Sequence, residues 1–234
     1  EQYYIALDIR KKMGPDSLEV ATSYNNIAAV FASQGNLTES LEQYQLALDI
    51  QQRKAPDSLE LATSYSTIGL VYNDLGMLED ALEQYLLALD IQKRTAPDSL
   101  ELAASYICIG VVYNDLGKLT DALENYHLAL NIQQREIPDS LSLAASFNNV
   151  AAVLDAQGNL TAALEQYQLA LDIHLRKAAD SLELATSYVM IGNVCKNQGK
   201  LTEALEQYLL ALDIQKRDIP DSLEIATSYH NIGL

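Results

Sequence analysis

The sequence predicts an all-α protein built from antiparallel helix pairs that repeat every 41 residues. Gly35, Gly76, Gly117, Gly158 and Gly199 lie 41 residues apart without exception. Residues 57–97 match residues 98–138 at 29 of 41 positions without a gap. No segment alternates apolar and polar residues with the period of two that is typical of a β-strand. A fixed period of this length indicates a repeat architecture in which each unit packs on its neighbours.

The period divides the 234-residue chain into a single repeat array. Full two-helix repeats are predicted over residues 16–56, 57–97, 98–138, 139–179 and 180–220. Partial repeats are predicted over residues 1–15, a second helix, and over residues 221–234, a first helix. Because the sequence begins in mid-pattern, we expect it to be a piece of a longer protein.

The first helix of each repeat is predicted to begin at the segment Pro-Asp-Ser-Leu-Glu. In the repeat 57–97, Asp57 is expected to cap the free amides of the first turn, with Glu60 reaching back to it. Apolar residues then recur at helical spacing, and Gly76 is expected to end the helix in the left-handed conformation. A column of small residues marks the middle of the first helices, at Ala28, Gly69, Gly110, Ala151, Gly192 and Gly233. Since glycine weakens a helix, this column predicts a close crossing by the second helix.

The second helix of the repeat 57–97 is predicted to begin near Leu78 and to end before Pro97, which cannot continue a helix. Threonine is expected to supply the N-cap in most repeats, at Thr38, Thr120, Thr161 and Thr202. Basic residues concentrate at the C-terminal ends of second helices and acidic residues in first turns, as helix dipoles favour. The tyrosine column Tyr3, Tyr44, Tyr85, Tyr126, Tyr167 and Tyr208 is expected to pack between helices.

Composition and charge argue against several classes of function. The formal net charge is −17, whereas nucleic-acid binding requires clustered lysine and arginine. Charged or amide residues interrupt every apolar run before the roughly 20 residues that a membrane span needs, so no membrane association is expected. The two cysteines occupy different positions of different repeats and are expected to be free thiols, which favours a cytoplasmic location.

No group of residues indicates catalysis. His127, His174 and His230 lie at different positions of the repeat, and the carboxylates recur in every unit, as scaffold residues would. Glycine-rich phosphate loops and metal-ligand spacings are also missing from the sequence. We therefore expect no enzyme activity, no cofactor and no metal.

Variation between repeats is concentrated in the first helices, because the second helices are nearly copies of one another. The varying positions are rich in amides, which can both donate to and accept from the backbone of an extended peptide. The candidate binding residues are Asn25, Asn26, Asn73, Asp74, Asn114, Asp115, Asn148, Asn149, Asp155, Asn193, Lys196 and Asn197. Drift at exposed positions without any ligand is the alternative explanation.

One pattern carries a family resemblance: Tyr65-x-x-Ile68-Gly69-x-x-Tyr72-x-x-x-Gly76-x-Leu78-x-x-Ala81-Leu82-x-x-Tyr85-x-x-Ala88-Leu89. It resembles the tetratricopeptide repeat signature and recurs in all five full repeats. The repeat length and the run Pro-Asp-Ser-Leu-Glu-x-Ala-Thr-Ser-Tyr are most similar to the long repeats of kinesin light chains. This resemblance implies a right-handed α-solenoid, a superhelix whose first helices line a concave groove that binds a protein or peptide.

The resemblance also bears on the partner. Kinesin light chains engage acidic peptides through basic residues, whereas only Lys196 is basic among the candidate positions. A neutral-to-basic protein or peptide is therefore the expected partner. Changing Asn73, Asn114, Asn148 and Asn193 together to alanine is expected to weaken binding with little effect on folding, because all four are expected to face solvent.

A structural, self-assembling array without a dedicated ligand is the alternative function. The sequence begins inside a second helix and ends inside a first helix, which are complementary halves of one pair. Glu1 of one molecule is expected to follow Leu234 of another, so that head-to-tail contacts build open chains.

Overall fold

A computed structural model of the chain describes residues 2–179, 181–219 and 222–233. These residues form twelve α-helices and no β-strand, which confirms the predicted all-α class. The helices are α1 Gln2–Met13, α2 Leu18–Ser33, α3 Leu37–Lys54, α4 Leu59–Asp74, α5 Leu78–Thr95, α6 Leu100–Asp115, α7 Leu119–Glu136, α8 Leu141–Ala156, α9 Leu160–Lys177, α10 Leu182–Asn197, α11 Leu201–Asp218 and α12 Leu223–Ile232.

The helices group into two compact units, Glu1–Lys118 with α1 to α6 and Leu119–Leu234 with α7 to α12. In the first unit, α2 packs on α3 and α4 on α5, and neighbouring pairs meet through α3 with α4 and α5 with α6. The second unit repeats this order, since α8 packs on α9, α10 on α11, and α9 on α10. Each unit is therefore a stack of helix pairs, as in an α-solenoid.

The first helix of each full repeat ends at the glycine that the period predicts. Gly76 has a φ of +74°, and its N–H donates to the Asn73 carbonyl at 2.9 Å. The Met77 N–H then donates to the Tyr72 carbonyl at 2.9 Å, which completes a Schellman motif. The carbonyl of Met77 in turn accepts from the Ala81 N–H at 3.0 Å, so the same residue opens α5. A left-handed glycine thus reverses the chain within two residues.

This tight link makes the prediction of threonine N-caps wrong. The residue directly after each glycine is the N-cap, Asn36 for α3 and Asn159 for α9. The Asn159 side chain accepts from the Ala162 N–H at 3.4 Å. Each threonine is instead the second residue of its helix, at Thr38, Thr120, Thr161 and Thr202.

Serine, not aspartate, is the N-cap of every first helix, and its side chain makes the capping hydrogen bond in all of them except α2. The Ser58 Oγ accepts from the Leu61 N–H at 3.1 Å, and the same contact recurs at Ser99, Ser140, Ser181 and Ser222. Asp57 stands one residue too early to cap α4 and accepts a hydrogen bond from Arg94 at 2.7 Å. The prediction of an Asp57 cap is therefore wrong. The equivalent Asp180 and Asp221 lie outside the described residues.

We expect Ser58→Ala to lower the free energy of unfolding by about 1 kcal/mol, because it leaves an amide of the first turn of α4 unpaired. Asp57→Ala should have a smaller effect, since its partner Arg94 is exposed and also pairs with Asp90. Urea unfolding of both variants measures the difference. A larger loss of stability in Asp57→Ala than in Ser58→Ala would indicate that the aspartate caps α4.

Ion pairs join the C-terminal end of a second helix to the aspartate that precedes the first helix of the same repeat. Asp16 accepts from Arg53 at 2.6 Å and from Lys54 at 3.0 Å. These hydrogen bonds, Arg53 first and Lys54 second, hold the pKa of Asp16 below its usual value. In the second unit, Asp139 pairs in the same way with Lys177 and Arg176. These basic residues therefore make specific contacts, beyond their favourable position in the helix dipole.

The small column in the first helices lies against tyrosines of the second helices. A Cβ atom placed on Gly69 would stand 2.7 Å from the Tyr85 Cε1 atom, and one on Gly192 would stand 2.6 Å from the Tyr208 Cε1 atom. At both positions the structure confirms the predicted close crossing. These tyrosines form the floor over which the first helices lie.

Candidate functional site

Open cavities separate successive first helices in the first unit. The first cavity, of about 340 Å³, lies between α2 and α4 with α3 at its floor. Its lining consists of Thr22, Asn25, Asn26, Tyr44, Gln51, Glu60, Thr63, Ser64 and Thr67. The second cavity, of about 220 Å³, lies between α4 and α6 above α5. Its lining consists of Thr63, Ser66, Thr67, Leu70, Gln92, Glu101, Ala104, Ser105 and Cys108.

The two cavities are equivalent positions of consecutive repeats. Gln92 and Glu101 of the second cavity follow Gln51 and Glu60 of the first by one period of 41 residues. Because the backbone repeats, the differences between the cavities come from their side chains alone. The first cavity carries more amides and hydroxyls, and the second more apolar surface.

A third cavity, of about 170 Å³, lies in the second unit between α10, α11 and α12. Leucine, alanine and isoleucine dominate its walls, and Lys196 and Asn231 contribute polar groups. This cavity therefore differs from the first cavity in both polarity and charge.

Three of the predicted binding residues line these cavities: Asn25 and Asn26 the first, and Lys196 the third. Among the others, Asp74, Asn114, Asp115 and Asn197 are exposed on first helices, whereas Asn73, Asn148, Asn149, Asp155 and Asn193 are half-buried. Their role in binding stays a prediction.

The four asparagines that were expected to face solvent differ in their surroundings. Only Asn114 is exposed. The Asn193 Oδ1 accepts a hydrogen bond from the Tyr208 hydroxyl at 2.8 Å, so Asn193 ties α10 to α11. The Oδ1 atoms of Asn73 and Asn148 are buried without a hydrogen-bond partner among the described residues. The combined alanine variant is therefore expected to change stability as well as binding, through the loss of the Asn193 contact.

A buried glutamine at the cavity floor was not predicted. Gln51, Gln92, Gln133 and Gln215 are all buried near the ends of second helices. Gln215 accepts from the Ser228 hydroxyl of the next first helix at 2.7 Å. The sequence carries one signal that could have predicted it: a glutamine that recurs in an otherwise apolar helix face, which indicates a buried polar contact.

His174 takes the place of this glutamine in α9. It is 5% exposed, and its Nδ1 lies 2.7 Å from the Ser187 Oγ of α10. Burial lowers the pKa of His174, and the Glu183 carboxylate opposes that shift. The neutral imidazole is therefore the form that the packed α9–α10 contact favours.

We expect the stability of the second unit to fall as the pH drops below about 6.5, the usual pKa of histidine. The unfolded chain then binds a proton that buried His174 resists, so acid favours unfolding. His174→Gln should remove this dependence, because the other second helices carry glutamine there. Urea unfolding at pH 5 and pH 7.5 compares the two proteins. Equal pH dependence in both would contradict the assignment to His174.

Within the described part of the chain, no three histidine, cysteine, aspartate or glutamate side chains are placed to hold a metal ion. None of the described helices is both long enough and apolar enough to cross a membrane. We expect purified protein to carry no stoichiometric metal, because its carboxylates are dispersed along the repeats. Elemental analysis after dialysis checks this, and one zinc per chain would contradict it.

Helix pairs linked by a left-handed glycine and stacked through small residues and tyrosines define a tetratricopeptide-type fold. Sequence comparison matches the tetratricopeptide repeat family over residues 1–53, 19–94 and 101–176, and a second model of that family over residues 185–218. The chain belongs to the tetratricopeptide repeat family. Comparison with curated proteins found no match.

Solved structures share the fold at low identity. BtubC (BKLC) from P. vanneervenii has a TM-score of 0.81 and 19% identity over 92% of this chain and 89% of its own. A putative kinesin light chain from Podosopora anserina with nearly identical TPR-like repeats has a TM-score of 0.74 and 19% identity, over 85% and 96%. YrrB, described as a TPR protein with an unusual peptide-binding site, has a TM-score of 0.65 and 20% identity, over 98% of both chains.

Proposed function

We propose that the chain is a protein- or peptide-binding scaffold whose first helices form the binding groove. The observation that carries the proposal is the pair of open cavities between α2, α4 and α6, which repeat with the period of the sequence and of which the first is rich in amides and hydroxyls. Amides and hydroxyls along such a row can bond the backbone of an extended segment. YrrB supports this use of the fold through its peptide-binding site.

The expected partner is neutral to basic. Glu60 and Glu101 line the first and second cavities, and neither cavity is lined by lysine or arginine. The net charge of −17 adds a long-range attraction for basic segments. A scaffold of this kind has no catalytic role, and its free cysteines, Cys108 and Cys195, suit the cytoplasm.

Selection of displayed random peptides on the immobilised chain tests the proposal. Asn26→Ala combined with Thr63→Ala alters exposed groove residues and should weaken binding of the selected peptides. The matched control, Gln45→Ala with Gln134→Ala, alters exposed residues of second helices and should leave binding unchanged. Failure to select any peptide, or equal losses in both variants, would count against the groove.

A self-assembling array is the second candidate, and the apolar surface of α1 and α12 favours it. α1 exposes Tyr3 and Ile9, and α12 exposes Leu223 and Tyr229, with Leu223 81% accessible. Tyr85 and Ile91, the equivalents of Tyr3 and Ile9, are buried against the first helix of their pair. In the 234-residue chain, α1 of one molecule therefore has the surface to pack on α12 of another. Glu1 and Leu234, which would form the junction, lie outside the described residues.

Sedimentation velocity over a concentration series tests this association. The average mass should rise with concentration, and Ile9→Asp should abolish the rise, because Ile91, its equivalent in a full repeat, is buried against the first helix of its pair. The change therefore places a charge in the apolar contact. Lys12→Asp, an exposed change on the same helix, serves as the control. A wild-type chain that stays monomeric up to millimolar concentration would rule the array out.

A further inference from the structure

Two buried amide oxygens of the first cavity lack hydrogen-bond partners. Gln51 is 5% exposed, and neither its Oε1 nor the Asn25 Oδ1 has a partner among the described residues. The serine that would serve Gln51, as Ser228 serves Gln215, is Ser64. Ser64 accepts a hydrogen bond from Asn25 Nδ2 at 3.3 Å, and its hydroxyl does not reach the Gln51 Oε1. Buried acceptors of this kind normally have a donor, so the first cavity is incomplete on its own.

A third oxygen in the first cavity is also available. Tyr44 lines the cavity from α3, and its hydroxyl makes no hydrogen bond with the described residues. In the equivalent pair α10–α11, Asn193 accepts from the Tyr208 hydroxyl at 2.8 Å. α2 has Ala29 at the position of Asn193, so Tyr44 has no such partner. Burial raises the pKa of Tyr44, which keeps the hydroxyl neutral.

A negative charge completes the lining of the first cavity. Glu60 contributes its carboxylate from the first turn of α4, and no basic side chain in the described part of the chain pairs with it. The remaining polar lining consists of amides and hydroxyls. The first cavity therefore combines unpaired acceptors with one uncompensated carboxylate.

We propose that the first cavity binds a lysine or arginine side chain of the partner segment, an inference that rests on the proposed peptide-binding function. An ammonium or guanidinium group carries several donors and no acceptor, so it matches this lining. Its hydrogen bond to Glu60 is charge-assisted, and the Tyr44 hydroxyl supplies a second acceptor. The Gln51 and Asn25 oxygens are buried, and rotation of these two amides would add further acceptors. A carboxylate or an aliphatic side chain would leave these oxygens unpaired.

The second cavity provides the internal comparison. Ala104 and Cys108 stand there at the positions of Thr63 and Thr67, and Leu70 adds apolar surface. Its carboxylate, Glu101, is equivalent to Glu60 and contributes the same charge. Gln92 also has an unpaired Oε1, but fewer polar neighbours surround it. Selectivity for a basic group is therefore assigned to the first cavity, and Glu101→Gln is a charge-matched control for Glu60→Gln.

Random nonapeptides displayed on phage and selected on the full chain are the probe. Selected sequences should carry lysine or arginine at one fixed position. A synthetic peptide of that sequence should bind Glu60→Gln about tenfold more weakly than the wild type, as for one lost charge-assisted hydrogen bond. Glu101→Gln should change its Kd less than twofold. Because Glu60 is exposed, circular dichroism melting should show both variants folded like the wild type.

A second peptide, with norleucine in place of the selected lysine, tests whether the basic group is what Glu60 binds. The replacement should weaken binding about tenfold to the wild type but only slightly to Glu60→Gln, because the paired group is already gone. Selected peptides without a fixed basic position, or equal losses in Glu60→Gln and Glu101→Gln, would overturn the proposal while leaving peptide binding intact. Failure to select any peptide would instead reject the proposed function.

Discussion

Replacing Gly69 by valine is expected to lower the free energy of unfolding by about 2–3 kcal/mol, the cost of overpacking a filled interior. A Cβ atom there would lie 2.7 Å from the Cε1 and 2.9 Å from the Cδ1 of Tyr85. Tyr85 is 1% exposed, so its ring has no free space into which to move. α4 and α5 must therefore separate before any larger side chain fits between them.

Gly69→Ala is the milder comparison. α2 carries Ala28 at the same position, fully buried in the helix pair that contains Tyr44, so a pair of this kind can admit one methyl group. Alanine also favours the helix by about 1 kcal/mol over glycine, which offsets part of the strain. Urea unfolding of the wild type and both variants gives the ranking, and Gly192→Val should repeat it against Tyr208. Stability of Gly69→Val within about 0.5 kcal/mol of the wild type would contradict the close crossing.

Replacing Gly76 by valine is expected to cost about 2 kcal/mol for a different reason. Gly76 has a φ of +74°, and a Cβ atom there would meet nothing within 4 Å. The loss therefore comes from the left-handed backbone alone, which a β-branched residue adopts poorly. Gly76→Asn is the control, because asparagine tolerates this conformation better than other residues with a side chain.

The two glycine predictions can be separated by amide hydrogen exchange. Gly76→Val should speed exchange at the end of α4 and the start of α5, where the Schellman hydrogen bonds of Gly76 and Met77 lie. Gly69→Val should speed exchange along the middle of both helices. Identical exchange patterns in the two variants would contradict the assignment of separate causes, backbone strain in the turn for Gly76 and overpacking at the helix crossing for Gly69.

The helix boundaries show how far local sequence signals reach. Gly76 ends α4 where the sequence predicts, because a left-handed residue is chosen by its own backbone conformation. The N-caps of both the first and the second helices were predicted wrongly. Asp57 and Ser58 are both good caps in sequence, and only the start of α4 at Leu59 selects Ser58. The Schellman turn likewise places the start of α3 two residues earlier than an N-cap at Thr38 would require.

The candidate site depended more strongly on tertiary structure. Asn193 and Asn25 are equally plausible groove amides in sequence, yet the first accepts from Tyr208 and the second lines the first cavity. Gln51 belongs to a second helix, which sequence reasoning set aside because second helices vary little. Its position at the cavity floor follows from the packing of α3 between α2 and α4.

The sequence by itself determined the period, the helix pairs, the turn at Gly76 and the close crossing at Gly69, because each depends on local conformation or on repetition along the chain. Tertiary structure alone decided which polar atoms are satisfied. A hydrogen bond requires two groups within about 3 Å of each other, and those groups often come from different helices. Asn25 of α2 and Ser64 of α4 meet in this way in the first cavity, whereas the Gln51 Oε1 of α3, which lines the same cavity, has no such partner.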